Sequence, residues 1–429
     1  MSGIDINVHY VSRVEGHGNI VVKVEDNQVK EMRWEIPEAP RFFEAMVRGK
    51  HYSDVVFIIS RICGICGIGH TFAAIQALEK ALGFEPSEQT LLLRKLLLHG
   101  ETMQSHTLHF GYLALPDFFG APNIIPLAQS HREQVLAIIR LHRLANELCD
   151  LIGGRTTHPI TTVVGGWTKL PTEGELKELR RRLTEAIADV KTVVKLFASL
   201  EMPAFQRETE YIALKKPDEY AFYDGEIAST DEQHTTPLSR YQEKIHEFIV
   251  PYSTAKRARS KRESYMVGAL ARFNINYAKL MPLGQEAAEL MGLKPICYNS
   301  FMNNIAQVVE VAHAIEDSIR IIDILLARGL KEEKVEIKPR AGRGVGGVEV
   351  PRGLLIHDYT LDEQGRVVDS NMIIPTNQNH QNIEEDLKAF LPHLLDKSKE
   401  EITLGLEMLV RAYDPCISCS THFLKVEWK

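Results

Sequence analysis

The sequence predicts an α+β, predominantly helical protein, a long-helix bundle with small β-hairpins or sheets at its periphery. Three observations carry this. Segments 88–115, 131–151, 173–200 and 300–330 keep apolar residues at helical spacing over many turns. Segments 4–36 and 354–373 alternate like strands about turn signals. Two Cys-x-x-Cys pairs, Cys63/Cys66 and Cys416/Cys419, stand at opposite ends of the chain. If their sulfurs meet, the fold must join both ends, which predicts one catalytic unit over 1–422 and a short tail over 423–429.

Composition bounds the function. The 429 residues are 44% hydrophobic and 25% charged, as in ordinary globular proteins. The net charge of −7 leaves no basic stripe for nucleic acid. The one basic run, Lys256 to Arg262, reads as a solvated loop, or else as a contact for an acidic partner. No run of 18 apolar residues exists, so no membrane insertion is expected. Residues 1–20 are too polar for a signal peptide. Six cysteines, four of them in the two pairs, suit metal ligation in a reducing compartment, and the cytoplasm is the expected location. Cys149 and Cys297 read as buried bystanders.

Taken in order, Asn19–Val24 and Val29–Ile36 form a hairpin about Glu25-Asp26-Asn27-Gln28. Ser12-Arg13-Val14-Glu15-Gly16-His17 precedes it. By pattern alone Glu15 faces solvent; functionally it reads as a proton-relay carboxylate. Arg41-Phe42-Phe43-Glu44 opens a short helix stopping at Gly49. Tyr52–Ile59 is helical and delivers the first cysteine pair, where Gly64, Gly67 and Gly69 permit close backbone approach. His70 begins a helix running to about Leu82. Along 88–115, His99, His106 and His109 fall near one face, and they read as satisfied core groups, not ligands. Asp117, past Pro116, caps the next turn or reaches into a site. Residues 205–265 are a peripheral α+β excursion. The glycine-rich 341–353 stretch is a weak phosphate cradle, since no Walker lysine follows. Leu354–Tyr359 and Val367–Ile373 form a second hairpin ending in Ile374-Pro375-Thr376-Asn377, and Glu401–Ala412 leads as a helix into Asp414-Pro415-Cys416.

Four clustered thiolates repel unless a soft cation neutralises them. On spacing alone three readings stay open: structural zinc, a thioredoxin-like redox pair, and a catalytic metal centre. Zinc ribbons keep their pairs within roughly 15–20 residues. Redox pairs sit near a βαβ unit, which is not apparent here.

The flanking residues add more. Arg13-Val-Glu-Gly-His17, Arg61-Ile-Cys-Gly-Ile-Cys66 with His70, the helix reaching Asp117, Glu349-Val-Pro-Arg-Gly353 with Ile374-Pro-Thr376, and Asp414-Pro-Cys-Ile-Ser-Cys-Ser-Thr-His422 span nearly the whole chain. Together they resemble the large, catalytic subunit of nickel–iron hydrogenases. The quinone-site subunit of respiratory complex I is similar in fold to that family but lacks these cysteines. The alternative from another class is a complex-I-like electron-transfer or scaffold subunit with a four-cysteine zinc site.

The resemblance implies that Cys63 and Cys416 are terminal nickel ligands, and that Cys66 and Cys419 bridge nickel to an iron carrying carbon monoxide and cyanide. It implies that His70 bonds a bridging sulfur, that Arg352 lies over the open site, and that Pro375 and Thr376 face the diatomic ligands. Asp117 and Asp414 join the catalytic set. Glu44, the Met372 backbone and His422 match a remote magnesium or iron site. The implied reaction is heterolytic cleavage of H2, with Cys416 favoured over Arg352 as proton acceptor and Glu15 relaying the proton outward. Only Cys149 and Cys297 remain for a cluster, so an iron–sulfur small subunit is an obligatory partner. The likeness to the cytoplasmic, cofactor-coupled group 3 type implies further flavin and iron–sulfur subunits passing electrons to NAD(P), F420 or ferredoxin. Family precursors usually carry a longer extension, cut after the last motif's histidine. Here seven residues follow His422, so this form is expected to be uncleaved or to retain its tail.

Overall fold

Alternation at the N-terminus gives an antiparallel sheet, β1 (Ile4–Val8), β2 (Asn19–Glu25) and β3 (Gln28–Glu35), in a computed structural model that describes residues 4–26 and 28–421. Helices α1 (Phe43–Val47) and α2 (Tyr52–Ile59) lead through a 3-10 turn to α3 (Gly67–Leu82). Next come α4 (Glu88–His106), extended by a wider turn over Thr107–Ala114, α5 (Leu127–Ser130), α6 (Arg132–Gly153), the short pair β4 (Thr162–Val163) and β5 (Gly166–Trp167), and α7 (Glu173–Ala198). A reciprocal cap between Thr172 and Glu175 starts α7. The excursion holds β6 (Glu210–Lys215), β7 (Glu226–Ser229), β8 (His246–Phe248), β9 (Arg257–Arg259) and β10 (Tyr265–Met266). Then follow α8 (Ala269–Asn276), α9 (Pro282–Leu290), α10 (Asn303–Arg328), β11 (Gly342–Val350), β12 (Gly353–Leu361), β13 (Val367–Ile373), α11 (Pro375–Phe390), α12 (Lys399–Ala412) and α13 (Ile417–Ser420).

The four long helices foreseen by periodicity pack in a closed ring, α4 on α6, α6 on α7, α7 on α10 and α10 on α4. Its polar interior has a register. His99 pairs with Asp317 at 2.7 Å, His106 with Glu310 at 2.7 Å, and His109 with Gln307 at 2.6 Å. Steps of seven and three along α4 meet steps of seven and three along α10, as antiparallel helices require. All six side chains are buried, so a slip of either helix would orphan all three pairs.

The β11–β12–β13 sheet lies on α3. A Cβ added at Gly342, Gly344 or Gly346 would fall 2.3, 2.0 or 2.2 Å from the carbonyl oxygens of Ala81, Ala77 and Ala73. Four helical residues rise about 6 Å and two strand residues about 6.6 Å, so alternate glycines track every fourth alanine. The glycine-rich stretch is therefore a strand pressed onto a helix backbone and no phosphate cradle.

Other expectations also change. The basic run is solvated only in part: Arg259 and Lys261 are exposed, but Arg257 is fully buried, donating to Trp34 O, Glu384 and Gln381 at 2.7–2.9 Å, and Lys256 pairs with Glu247. Segment 375–390 is a helix. Helices α8 and α9 lie in a stretch that periodicity had left unassigned. Among the described residues, no helix is long and apolar enough to cross a membrane.

Candidate metal centre

Cys63 leaves the 3-10 turn in extended conformation, and Cys66 is the N-cap of α3. The amides of Ile65 and Cys66 both point at Cys63 Sγ, at 3.2 and 3.3 Å. At the other end, Asp414 adopts the left-handed region at φ 51°, which turns the chain after α12 into Pro415 and Cys416. The two ends meet across 353 positions. Cys63 and Cys416 sulfurs stand 3.4 Å apart, those of Cys66 and Cys419 3.7 Å, and those of Cys416 and Cys419 2.9 Å. All four are buried and unbridged.

Such a cluster cannot ionise freely. Hydrogen bonding from Cys416 and the other two thiols draws Cys63 well below the ordinary thiol range. The Cys419 contact pushes Cys416 well above it, and burial pushes Cys419 up to about 11. One thiolate forms readily and the rest need added positive charge. Four soft donors in a dry pocket beside a guanidinium therefore fit a nickel–iron pair.

The second cysteine motif is clamped on two sides. The Ile417 amide donates to Glu15 O at 2.9 Å and the Ser418 amide to Glu15 Oε2 at 3.0 Å, with Cys416 Sγ 3.2 Å from the same oxygen. Arg41 donates to Ser418 O, and its amide to Thr421 O at 2.6 Å. From α11, Thr376 Oγ1 accepts the Cys416 amide at 3.0 Å, and Asn377 donates to Ser420 O at 2.9 Å. His380 lies 3.0 Å from Ser420 Oγ, and Trp34 donates to its other nitrogen at 2.9 Å. Pro375 occupies the first turn of α11.

Arg352 is buried, 2.8 Å from Asp414 Oδ1 and 3.2 Å from Ser105 Oγ. Gln307 donates to the other Asp414 oxygen at 3.1 Å. Sequence reasoning chose Asp117 for this neighbourhood. Asp117 instead pairs with Arg13 and, at 2.8 and 3.1 Å, with Arg411, which also donates to Ser12 O. It braces the segment carrying Glu15, and Ser105 takes the place beside Arg352.

Sequence reasoning missed Glu101. Its carboxylate accepts the Ile68 amide at 2.8 Å and the Gly69 amide at 3.0 and 3.1 Å, fixing the start of α3 beside Cys66. Burial raises its pKa to about 8, with those amides opposing. No spacing signal marks it, because it acts from another helix. Gly69 admits no side chain, since a Cβ would lie 2.1 Å from Val350; Gly67 is also close-packed, whereas Gly64 has open space.

His70 Nδ1 faces His357 Nε2 at 3.1 Å, and His357 Nδ1 faces Tyr359 Oη at 2.7 Å. Glu44 is buried, and Met372 lies opposite His357 in the sheet register. His422 lies outside the described residues. His99, His313 and Asp317 form a second buried group. Asp317 is spent on His99 and Arg320, and His313 Nδ1 accepts the Met281 amide at 3.0 Å, which puts the ring proton on Nε2. That group is a hydrogen-bond network and no cation seat.

The chain is similar to known proteins along nearly its whole length. Residues 41–129 and 206–422 match a family described as nickel-dependent hydrogenase, and residues 5–39 one described as HoxL-like. The chain is 34% identical to the alpha chain of sulfhydrogenase 1 of Pyrococcus furiosus, covering 99% of each. It is 36% identical to the alpha chain of sulfhydrogenase 2 of the same organism, over 98% of this chain and 100% of that one. It superposes on a crystal structure of an NAD+-reducing [NiFe]-hydrogenase in the H2-reduced state with a TM-score of 0.84 at 28% identity, over 98% of this chain and 100% of the other.

Proposed function

The chain belongs to the nickel-dependent hydrogenase family, and from that premise we propose that it is a catalytic large subunit whose Cys63, Cys66, Cys416 and Cys419 hold a nickel–iron pair and cleave H2 reversibly. The convergence of those four buried sulfurs carries the reading. When bound, the pair supplies the Lewis acidity that heterolytic cleavage of so weak an acid requires.

The chain's own residues handle the proton. The Cys416 sulfur is the favoured acceptor, because Arg352 is already cationic and a poor base. Glu15 Oε2, 3.2 Å from that sulfur, is placed to take the proton next and pass it outward. Arg352, fixed by Asp414 and Ser105, offsets thiolate charge and excludes water. Pro375 and Thr376 would face the carbon monoxide and cyanide ligands of iron. Glu44, the Met372 carbonyl and His422 are assigned to a secondary magnesium or iron site.

Electrons leave through an iron–sulfur partner subunit, since Cys149 and Cys297 are too few to ligate a four-cysteine cluster. Flavin and iron–sulfur subunits of a cytoplasmic, cofactor-coupled complex follow in this reading, with NAD(P), F420 or ferredoxin as acceptor. The test is elemental analysis of the purified complex with H2-dependent dye reduction and infrared bands of iron-bound diatomic ligands. Nickel, iron and turnover are expected; zinc alone without turnover refutes the proposal.

A further inference from the structure

Arg352 sits in the two-residue turn between β11 and β12, and the carbonyls entering that turn need partners in a dry interior. Those partners come from α8. Arg272 is fully buried and spends all five of its N–H donors. Two go to Glu310 at 2.7 Å each, one to Glu349 at 3.0 Å, one to Val350 O at 2.8 Å and one to Pro351 O at 3.0 Å. The last two acceptors immediately precede Arg352.

The guanidinium is itself immobilised. Glu310 also accepts from Tyr220 at 2.7 Å and pairs with His106 of α4, the neighbour of Ser105. Glu349 accepts the Leu214 amide at 2.8 Å, and the Arg272 guanidinium stacks over Phe222. Asn303 caps α8 at the Leu270 amide and reaches Ala412 O, two residues before Asp414.

Resting on the Arg352 role proposed above, we infer that Arg272 is a positioning residue for the hydrogenase reaction, one that sets the height of Arg352 over the cysteine cluster by gripping the backbone of its turn. A lysine at 272 keeps a charge for Glu310 but has three donors on one atom, and cannot span a carboxylate and two carbonyls at once.

The experiment compares wild type, Arg272→Lys, Arg352→Lys and the double variant in the purified complex. Turnover is measured per bound nickel, and amide exchange is followed over residues 352–354. Arg272→Lys is expected to lower turnover per nickel by about a hundredfold, as misplacement of order 1 Å does, and to speed exchange in the turn but not in α4 or α10. The double variant is expected within about twofold of the slower single variant, because both act through one group. Wild-type turnover per nickel, unchanged turn exchange, or losses that multiply would each overturn the inference. If Arg272→Lys does not accumulate, wild type still tests it: an Arg352 amide exchanging far faster than those of β11 and β12 would refute a gripped turn. A wild-type complex without nickel or H2 turnover would instead sink the proposed function, and the exchange comparison would stand apart from it.

Discussion

Replacing Glu15 with glutamine keeps the shape of the side chain and one acceptor oxygen while removing the ability to carry a proton. The structural cost follows from the contacts. The Ile417 amide bonds to the Glu15 backbone and is untouched, and the Ser418 amide changes from a charged to a neutral acceptor. Charged acceptors give bonds roughly twice as strong as neutral ones, whose net worth is about 1 kcal/mol, so the loop loses about 1 kcal/mol. Nickel content should therefore hold. Turnover should fall by about 10²- to 10⁴-fold, the usual contribution of a positioned acid–base group. Dye-linked H2 oxidation and H2/D2O exchange, both normalised to nickel, read this directly. A Glu15→Gln complex with full nickel and a wild-type rate would remove Glu15 from the proton path.

Three further outcomes are expected. Cys416→Ser swaps a soft for a hard donor and should lose nickel, checked by elemental analysis; normal nickel content would contradict the ligand assignment. Gly346→Ala places a methyl 2.2 Å from Ala73 O and should cost about 1–3 kcal/mol, read as a lower urea midpoint. For Glu310, burial alone would raise the carboxyl, but Arg272 and His106 hold it down at about 2 against a usual 4.5. A depressed carboxyl stabilises above its unfolded pKa, so about 3 kcal/mol is present at neutral pH and lost as pH falls from about 4.5 towards 2. Glu310→Gln should flatten that acid limb in denaturation midpoints between pH 6 and pH 3; an unchanged limb would contradict the pairing.

The long helices, both hairpins and the two cysteine motifs were legible because each leaves a mark in local spacing. Helix α11 was not. Its opening run, Pro375-Thr-Asn-Gln-Asn-His-Gln-Asn382, is nearly all polar yet mostly buried, because those side chains hydrogen-bond to the cysteine loop and its neighbours. Hydrophobic periodicity cannot see a face buried by polar satisfaction. Ser105 and Glu101 escaped for a related reason, since each acts across a helix interface that only the fold creates. Arg257 was misread because its compensating carboxylate, Glu384, lies 127 positions away.

The alanine ridge of α3 seated in the glycine furrow of β11 behaves as a ruler. The strand runs opposite to the helix, so Cys66 at the N-cap of α3 and Arg352 just past β11 meet at one end of it, where Gly69 lies against Val350. Behind that end the seam runs main chain against main chain, with no rotamer to flip and no gap to close. Sliding of strand against helix, which would carry guanidinium past sulfur, is opposed along the whole seam. A mutation along that seam, well away from any ligand, should therefore register as detuned chemistry as well as lost stability.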